Sequence, residues 1–377
     1  MSASVDGAVL RPRDAADVAA IVASRERALE VRGGGSKRAI GRVAEADVLD
    51  LGALSGIVAY EPAELVLTAH AATPLATIEE LLTANAQRLA FEPPDFGRLL
   101  GATAAQTIGG VLAANLAGSR RVSAGAARDH FLGFQGVTGR GELFKAGGKV
   151  VKNVTGYDLP KLLAGSWGTL AVLTEVTLRV APAPELDRTL VVASATPAAS
   201  VALLTAALGS AHDVSAAAFD PKRGSLLRLE GFAASVQART EALCAQLRCE
   251  SAAIIDGAAS QRCWHDLGSA AALAECAVVW RLSVPPADAP AVLQRLRPLH
   301  YTLDWGGGLI AAGYSTVDAA QVRGAFAAGH ATLIKAPLAA RAATAVFQPL
   351  PAVAAAVAAR LKHAFDPRGI LNPGRMD

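Results

Sequence analysis

The sequence predicts an α+β protein in three parts. Three observations carry this. Glycine clusters and β-type runs crowd residues 1–180, strand and helix patterns alternate over residues 185–345, and residues 351–377 form a helix-length run ending in Leu371-Asn372-Pro373-Gly374-Arg375. Pro182-Ala183-Pro184 marks the break after the first part.

Taken in order, Val9-Leu10-Arg11-Pro12 reads as a short strand and Asp14 to Ser24 as a helix, with Asp14 as N-cap and Asp17 at the capping-box position. Ala28 to Arg32 reads as a strand running into glycines; Val48 to Leu51 and Val66 to Ala71 read as further strands. Thr77 to Ala86 has Ile78, Leu81 and Leu82 at helical spacing. From Leu170 to Val180 the residues Val172, Thr174, Val176, Leu178 and Val180 alternate as in a strand. In the middle part Ala198 to Leu208 and Ala234 to Leu247 read as helices, and Leu226 to Leu229 and Val278 to Val284 as strands. These suggest a small sheet with helices on one side.

Composition limits the function classes. The chain has 377 residues, 52% hydrophobic and 18% charged, which is enough for two domains and not disordered. A net charge of +3 with no block of like charge argues against nucleic acid or an acidic membrane surface as partner. No run reaches the roughly 18 to 20 apolar residues of a spanning helix, and Pro351 to Ala359 reads as an ordinary helix. The charged N-terminal region does not read as a secretory leader, so a cytoplasmic location is expected. Cys244, Cys249, Cys263 and Cys276 lack CxxC spacing, which disfavours a disulfide framework or an iron–sulfur cluster; no metal is expected.

Several motifs carry chemistry. Arg32-Gly33-Gly34-Gly35-Ser36 follows a strand and frees the backbone to turn its N–H groups on an anion such as a diphosphate, although it is not GxGxxG. Alone it is also the sequence of a plain glycine turn. A second loop, Thr107-Ile108-Gly109-Gly110, leads to Ala113-Ala114-Asn115, where small residues admit a flat, bulky ligand. A third runs from Gly147 through Lys149, Lys152, Asn153 and Gly156 to Tyr157, and a fourth from Gly165 through Trp167, Gly168, Thr169 and Val172 to Glu175. Lys149, Lys152, Asn153 and Tyr157 suit either tuning of a bound cofactor or the bracing of a loop. Arg120 and Arg121 read as solvated, and Arg128-Asp129 as a structural ion pair.

Together the third, fourth and C-terminal motifs resemble the PCMH-type FAD-binding domain of the vanillyl-alcohol-oxidase superfamily, in its glycolate oxidase and D-lactate dehydrogenase branch. Within that branch the chain most resembles the E-subunit family of bacterial glycolate oxidases. The resemblance covers residues 1–180 and the last dozen, and the middle diverges. It implies an FAD-binding domain of two subdomains, a smaller sheet-and-helix cap over residues 185–345, and a C-terminal return to the FAD site. It gives Arg32 to Ser36 and Thr107 to Gly110 as diphosphate loops, with Asn115 close by. It gives Lys152, Asn153 and Tyr157 to the flavin ring, Gly168, Thr169 and Val172 to the adenine end, and Asn372 and Arg375 to the closing segment.

The sequence departs from the family in two places. The first loop reads Gly35-Ser36-Lys37, without the histidine that tethers flavin in many relatives, so FAD is expected to be non-covalent. The counterpart of the relatives' histidine-bearing substrate motif is Asp304-Trp305-Gly306-Gly307-Gly308-Leu309, which lacks the histidine and the asparagine. No catalytic residue is assigned, and His212, His265, His300, His330 and His363 read as structural.

The expected function is an electron-carrying FAD subunit of a glycolate-oxidising complex. The resemblance implies a catalytic flavoprotein subunit and an iron–sulfur subunit as partners, glycolate binding at the partner, and contact with the inner membrane face only through partners. Two alternatives stand beside it. One is a self-sufficient 2-hydroxy-acid dehydrogenase that docks a carboxylate on Arg281, Lys335 or Arg341, and the other is a scaffold without catalysis.

Overall fold

The computed structural model describes residues 7–42, 45–148, 156–249 and 251–376. Its first layer is a three-stranded parallel sheet with Asp47–Asp50 in the centre, flanked by Val9–Leu10 and Leu29–Arg32. Parallel neighbours need a crossover, and helix Ala15–Ser24 supplies the first one. Asp14 caps it, its carboxylate accepting from the Asp17 backbone N–H at 2.8 Å. Val18 and Val22, one turn apart, are wholly buried with Leu29 and Leu49.

The second layer is an antiparallel sheet in the order Ile57–Glu61, Val66–His70, Ala171–Pro182, Phe131–Thr138, Leu143–Gly147, with Gln87–Leu89 pairing the far end of the long central strand. The strand predicted there forms, but both of its faces are covered rather than one: Leu173, Val176, Leu178 and Val180 join one core and Val172 another. Helices Leu75–Thr83 and Ile108–Ala114 pack on this sheet through Ile78, Leu82, Ile108 and Leu112.

The middle part holds eight antiparallel strands, not a small sheet. Their order is Ala253–Asp256, Leu186–Val192, Gly224–Gly231, Ala216–Asp220, His300–Asp304, Leu309–Tyr314, Val278–Ser283, His330–Lys335. Helices Pro197–Leu208, Ala233–Leu247 and Ala289–Leu296 cover one face through Val201, Leu204, Val236, Leu243, Val292 and Leu293. The other face is covered as well. Helix Gly257–Gly268 buries Cys263 and Trp264 there, and Val279, Ala311 and Ile334 meet Ile40, Phe96 and Trp167 of the first part. The sheet is thus the floor of a joint between the two halves of the chain.

Ion pairs lock the same joint. Arg228, 3% exposed, bonds Asp187 at 2.5 Å and Glu92 at 2.6 Å. Glu230 pairs with Arg88 and, at 3.0 Å, with Arg120. Arg120 is therefore not solvated as its sequence position suggested: the partner carboxylate comes from a strand 110 residues on, which local reading does not reach. Asp129 pairs with Arg121 at 3.8 Å, while the Arg128 backbone N–H donates to Asn115 Oδ1 at 3.0 Å.

The C-terminal segment closes the first layer. Leu371 bridges Leu29 in parallel, with the Leu29 N–H donating to the Ile370 carbonyl at 2.7 Å and the Asn372 N–H to the Leu29 carbonyl at 2.9 Å. Helix Ala352–Phe365 precedes it and holds on by its last turn, where Lys362 Nζ donates to the Thr169 carbonyl at 2.7 Å and to Asp366 at 2.6 Å. Among the described residues no helix is long and apolar enough to cross a membrane.

Candidate functional site

A cleft lies between the first two layers, at the carboxyl end of strand Leu29–Arg32. Four separated stretches line it: Glu30 to Arg38, Thr107 to Ala114, Ser166 to Leu173, and Asn372 with Arg375. The glycine loops, 74 residues apart, meet here face to face. A Cβ on Gly33 would stand 2.3 Å from Thr107 Oγ1, and one on Gly34 would stand 1.9 Å from the Ala105 carbonyl oxygen. Glycine is needed because the two loops pack on each other. Gly168 has φ +69°, and a Cβ there would strike the Asn372 amide nitrogen at 2.6 Å.

Asn372 stitches the cleft together. Its Oδ1 accepts from the Val31 backbone N–H at 2.7 Å, and its Nδ2 donates to the Trp167 carbonyl at 2.8 Å. It sits in the left-handed region at φ +44°, where asparagine is tolerated better than most residues.

The cleft carries excess positive charge. Glu30 pairs with Arg32 at 3.1 Å, Arg38 at 2.8 Å and Arg375 at 3.2 Å. Burial alone would push the Glu30 carboxyl up, but those guanidiniums outweigh it and hold the group below the usual carboxylate range. Lys37 adds a fourth cation whose Nζ donates to Gln106 Oε1 at 2.6 Å. Burial lowers its ammonium to about 8, opposed by Asp95. Arg32 Nε is buried with no hydrogen-bond partner among the described residues. Four cations, one carboxylate and an orphaned guanidinium N–H form a seat for an anion. Leu51, Ala71, Ala113, Trp167 and Leu173 supply apolar wall beside it. A dinucleotide with a diphosphate and a flat ring fits this lining.

Arg32, Gly33, Gly34, Gly35, Ser36, Thr107, Gly109, Gly110, Gly168, Asn372 and Arg375 are brought together on the cleft. Others do not line it. Ile108 points into the core of the second layer, and Val172 is buried with Leu29, Leu49 and Leu371. Asn115, at φ +48°, ends helix Ile108–Ala114. Thr169 Oγ1 donates back to the Ser166 carbonyl at 2.7 Å. Tyr157 is 90% exposed, and Lys152 and Asn153 lie outside the described residues. Glu30, Lys37, Ser166 and Trp167 line the cleft without having been singled out as site residues. Their signal was adjacency to the glycine loops.

The basic residues considered for a substrate carboxylate do not converge. Arg281 Nη2 donates to the Ala117 carbonyl at 2.9 Å, Lys335 Nζ to that of Ala274 at 2.7 Å, and Arg341 Nη2 to that of Gly41 at 2.9 Å. The Asp304 segment is a clamp between the two halves: Asp304 accepts from Ser119 Oγ at 2.7 Å, and Trp305 Nε1 donates to the Gly118 carbonyl at 2.9 Å. Burial pushes the Asp304 carboxyl up to about 6.

These features define a cleft suited to a nucleotide cofactor, and comparison with known proteins makes the chain an FAD-binding oxidoreductase. Residues 7–147 match the family described as FAD binding domain. Glycolate oxidase subunit GlcE of Escherichia coli is 34% identical over 352 residues, covering 92% of each chain. Glycolate oxidase subunit GlcD of Bacillus subtilis is 36% identical over 124 residues, 33% of this chain and 25% of that protein. Among solved structures, alkyldihydroxyacetonephosphate synthase superposes with a TM-score of 0.67 over 97% of this chain and 76% of its own, at 16% identity, which speaks for the fold alone. The chain belongs to the GlcE family of FAD-binding oxidoreductases, and FAD is its cofactor.

Proposed function

We propose that this chain is the FAD-binding, electron-carrying subunit of a multi-subunit glycolate oxidase, taking part in the oxidation of glycolate to glyoxylate. The observation that carries the reading is the pairing of a complete cationic cleft with basic residues that fail to converge on any substrate carboxylate. What FAD supplies when bound is reversible one- and two-electron redox chemistry. The chain's residues do the rest. The facing loops Arg32 to Ser36 and Thr107 to Gly110 offer backbone N–H groups and charge to the diphosphate. Leu51, Ala71 and Leu173 give the ring an apolar wall, and Asn372 fixes the segments around it.

In this reading residues 1–180 and 351–377 hold the cofactor and residues 185–345 cap it. Electrons arrive from a larger catalytic flavoprotein subunit and leave through an iron–sulfur subunit. The first loop reads Gly35-Ser36-Lys37 and contains no histidine for a tether, so FAD is held without a covalent bond.

The test is the visible spectrum of the purified chain. Flavin absorbance that passes into the supernatant on acid precipitation, and that anaerobic glycolate does not bleach, supports the proposal. A colourless protein that takes up no added FAD refutes it. Bleaching by glycolate in the isolated chain makes it a dehydrogenase in its own right.

A further inference from the structure

Of the four cations lining the cleft, three already share one carboxylate: Arg32, Arg38 and Arg375 all pair with Glu30. Lys37 has no carboxylate at ion-pair distance among the described residues; its ammonium makes one hydrogen bond, to the neutral Gln106 side chain. An ammonium has three N–H groups, so two are left for a ligand. Gln106 is the residue before Thr107, against which Gly33 packs, so Lys37 spans the line where the two glycine loops meet.

We propose that Lys37 is the anchoring cation of the cleft, giving its free N–H groups to the diphosphate of the bound dinucleotide. The inference rests on the FAD reading above and goes beyond it by assigning the charge that holds the anion.

A consequence follows for pH. Burial lowers the Lys37 ammonium to about 8, opposed by Asp95, while Glu30, Arg32, Arg38 and Arg375 line the same cleft. A diphosphate beside it favours the protonated form and raises that value, so FAD entry draws a proton from solvent above pH 8. Affinity is full below pH 8 and falls as pH rises through it. With a free-state value near 8, the loss between pH 7 and pH 9 is roughly tenfold.

The experiment is a fluorescence titration of the apoprotein with FAD at pH 7, 8 and 9, for the wild type, Lys37→Met and Lys37→Arg, with thermal melting to verify folding. Lys37→Met is expected to bind roughly tenfold or more weakly at pH 7, without the pH slope. Lys37→Arg keeps its charge at pH 9 and is expected to flatten the slope while retaining affinity. Competition by ADP, which carries the diphosphate without the flavin, is expected to show the wild-type slope.

Wild-type affinity in a folded Lys37→Met variant overturns the assignment and leaves the FAD reading standing. A slope seen with FAD but absent with ADP also overturns it, placing the charge at the ring. A wild type that binds no FAD at any pH removes both.

Discussion

Asn372 and Val31 are joined by a 2.7 Å hydrogen bond across 341 residues of sequence, and the same side chain reaches the Trp167 carbonyl with its other end. One amide thus holds the first strand layer, the loop before the long central strand and the C-terminal segment in a single arrangement. The cleft takes its shape from that junction.

Replacing this amide tests the junction. Asn372→Leu leaves the Val31 N–H and the Trp167 carbonyl without their partners and puts a branched side chain at positive φ. The expected cost is about 2–4 kcal/mol of stability by denaturant unfolding, together with loss of FAD retention on gel filtration. Asn372→Asp keeps the acceptor for Val31 and loses the donor to Trp167, so a smaller cost is expected.

The loop-to-loop contact is open to a double-mutant cycle. Gly33→Ala drives a Cβ into Thr107 Oγ1 and is expected to lower both melting temperature and FAD affinity. Adding Thr107→Ala removes that oxygen and leaves the new Cβ 3.3 Å from the Thr107 Cβ, so part of the loss in stability is expected to return. Gly148→Ala, at a position with nothing within 4 Å of the added Cβ, is expected to be silent.

The ion cluster at the joint predicts a pH dependence. Glu230 is pulled down to about 2, where burial alone would raise it, because Arg228, Arg120 and Arg88 surround it. A depressed carboxyl stabilises the fold above its unfolded value, near 4.5, and that contribution fades as pH falls through the folded value near 2. Glu230→Gln removes the carboxylate paired with Arg88 and Arg120, while Arg228 keeps Asp187 and Glu92, and is expected to cost about 3–5 kcal/mol at pH 7. The gap between wild type and variant in urea unfolding is expected to narrow between pH 5 and pH 2; a constant gap means the cost is steric.

Lys362 fastens the returning segment from outside the cleft by donating to the Thr169 and Leu371 carbonyls and to Asp366. Lys362→Met takes the counter-charge from the buried Asp366 carboxylate, which keeps only the Ile370 and Leu371 N–H groups, so a loss of about 2–4 kcal/mol is expected, with early proteolytic trimming after Phe365 as the visible sign.

Much of the fold-forming pattern could be read locally. The Asp14 cap, the apolar positions of Ala15–Ser24 and the β-branched run in Ala171–Pro182 are set by neighbours within a few residues. The middle sheet was harder to read because alanine and glycine dominate strands such as Ala216–Asp220 and Leu309–Tyr314, and small residues carry little period-two contrast. At the cleft the glycine loops were legible, but which side chains face the cavity was not. In helix Ile108–Ala114 a rotation of 100° separates buried Ile108 from Gly109 on the cleft wall. Glu30 and Lys37 look like ordinary surface charges until the fold gathers Arg375 and Gln106 around them.

The pairing of Leu371 with Leu29 also sets an order of events during synthesis. A ribosome emits the chain from Val31 onward at ~5–20 residues per second, so the glycine loops emerge well before Asn372 exists to brace them. A nascent chain stopping short of Leu371 carries both loops but not the segment that bridges Leu29. The arrangement that shapes the cleft is therefore complete only once the last residues have been made.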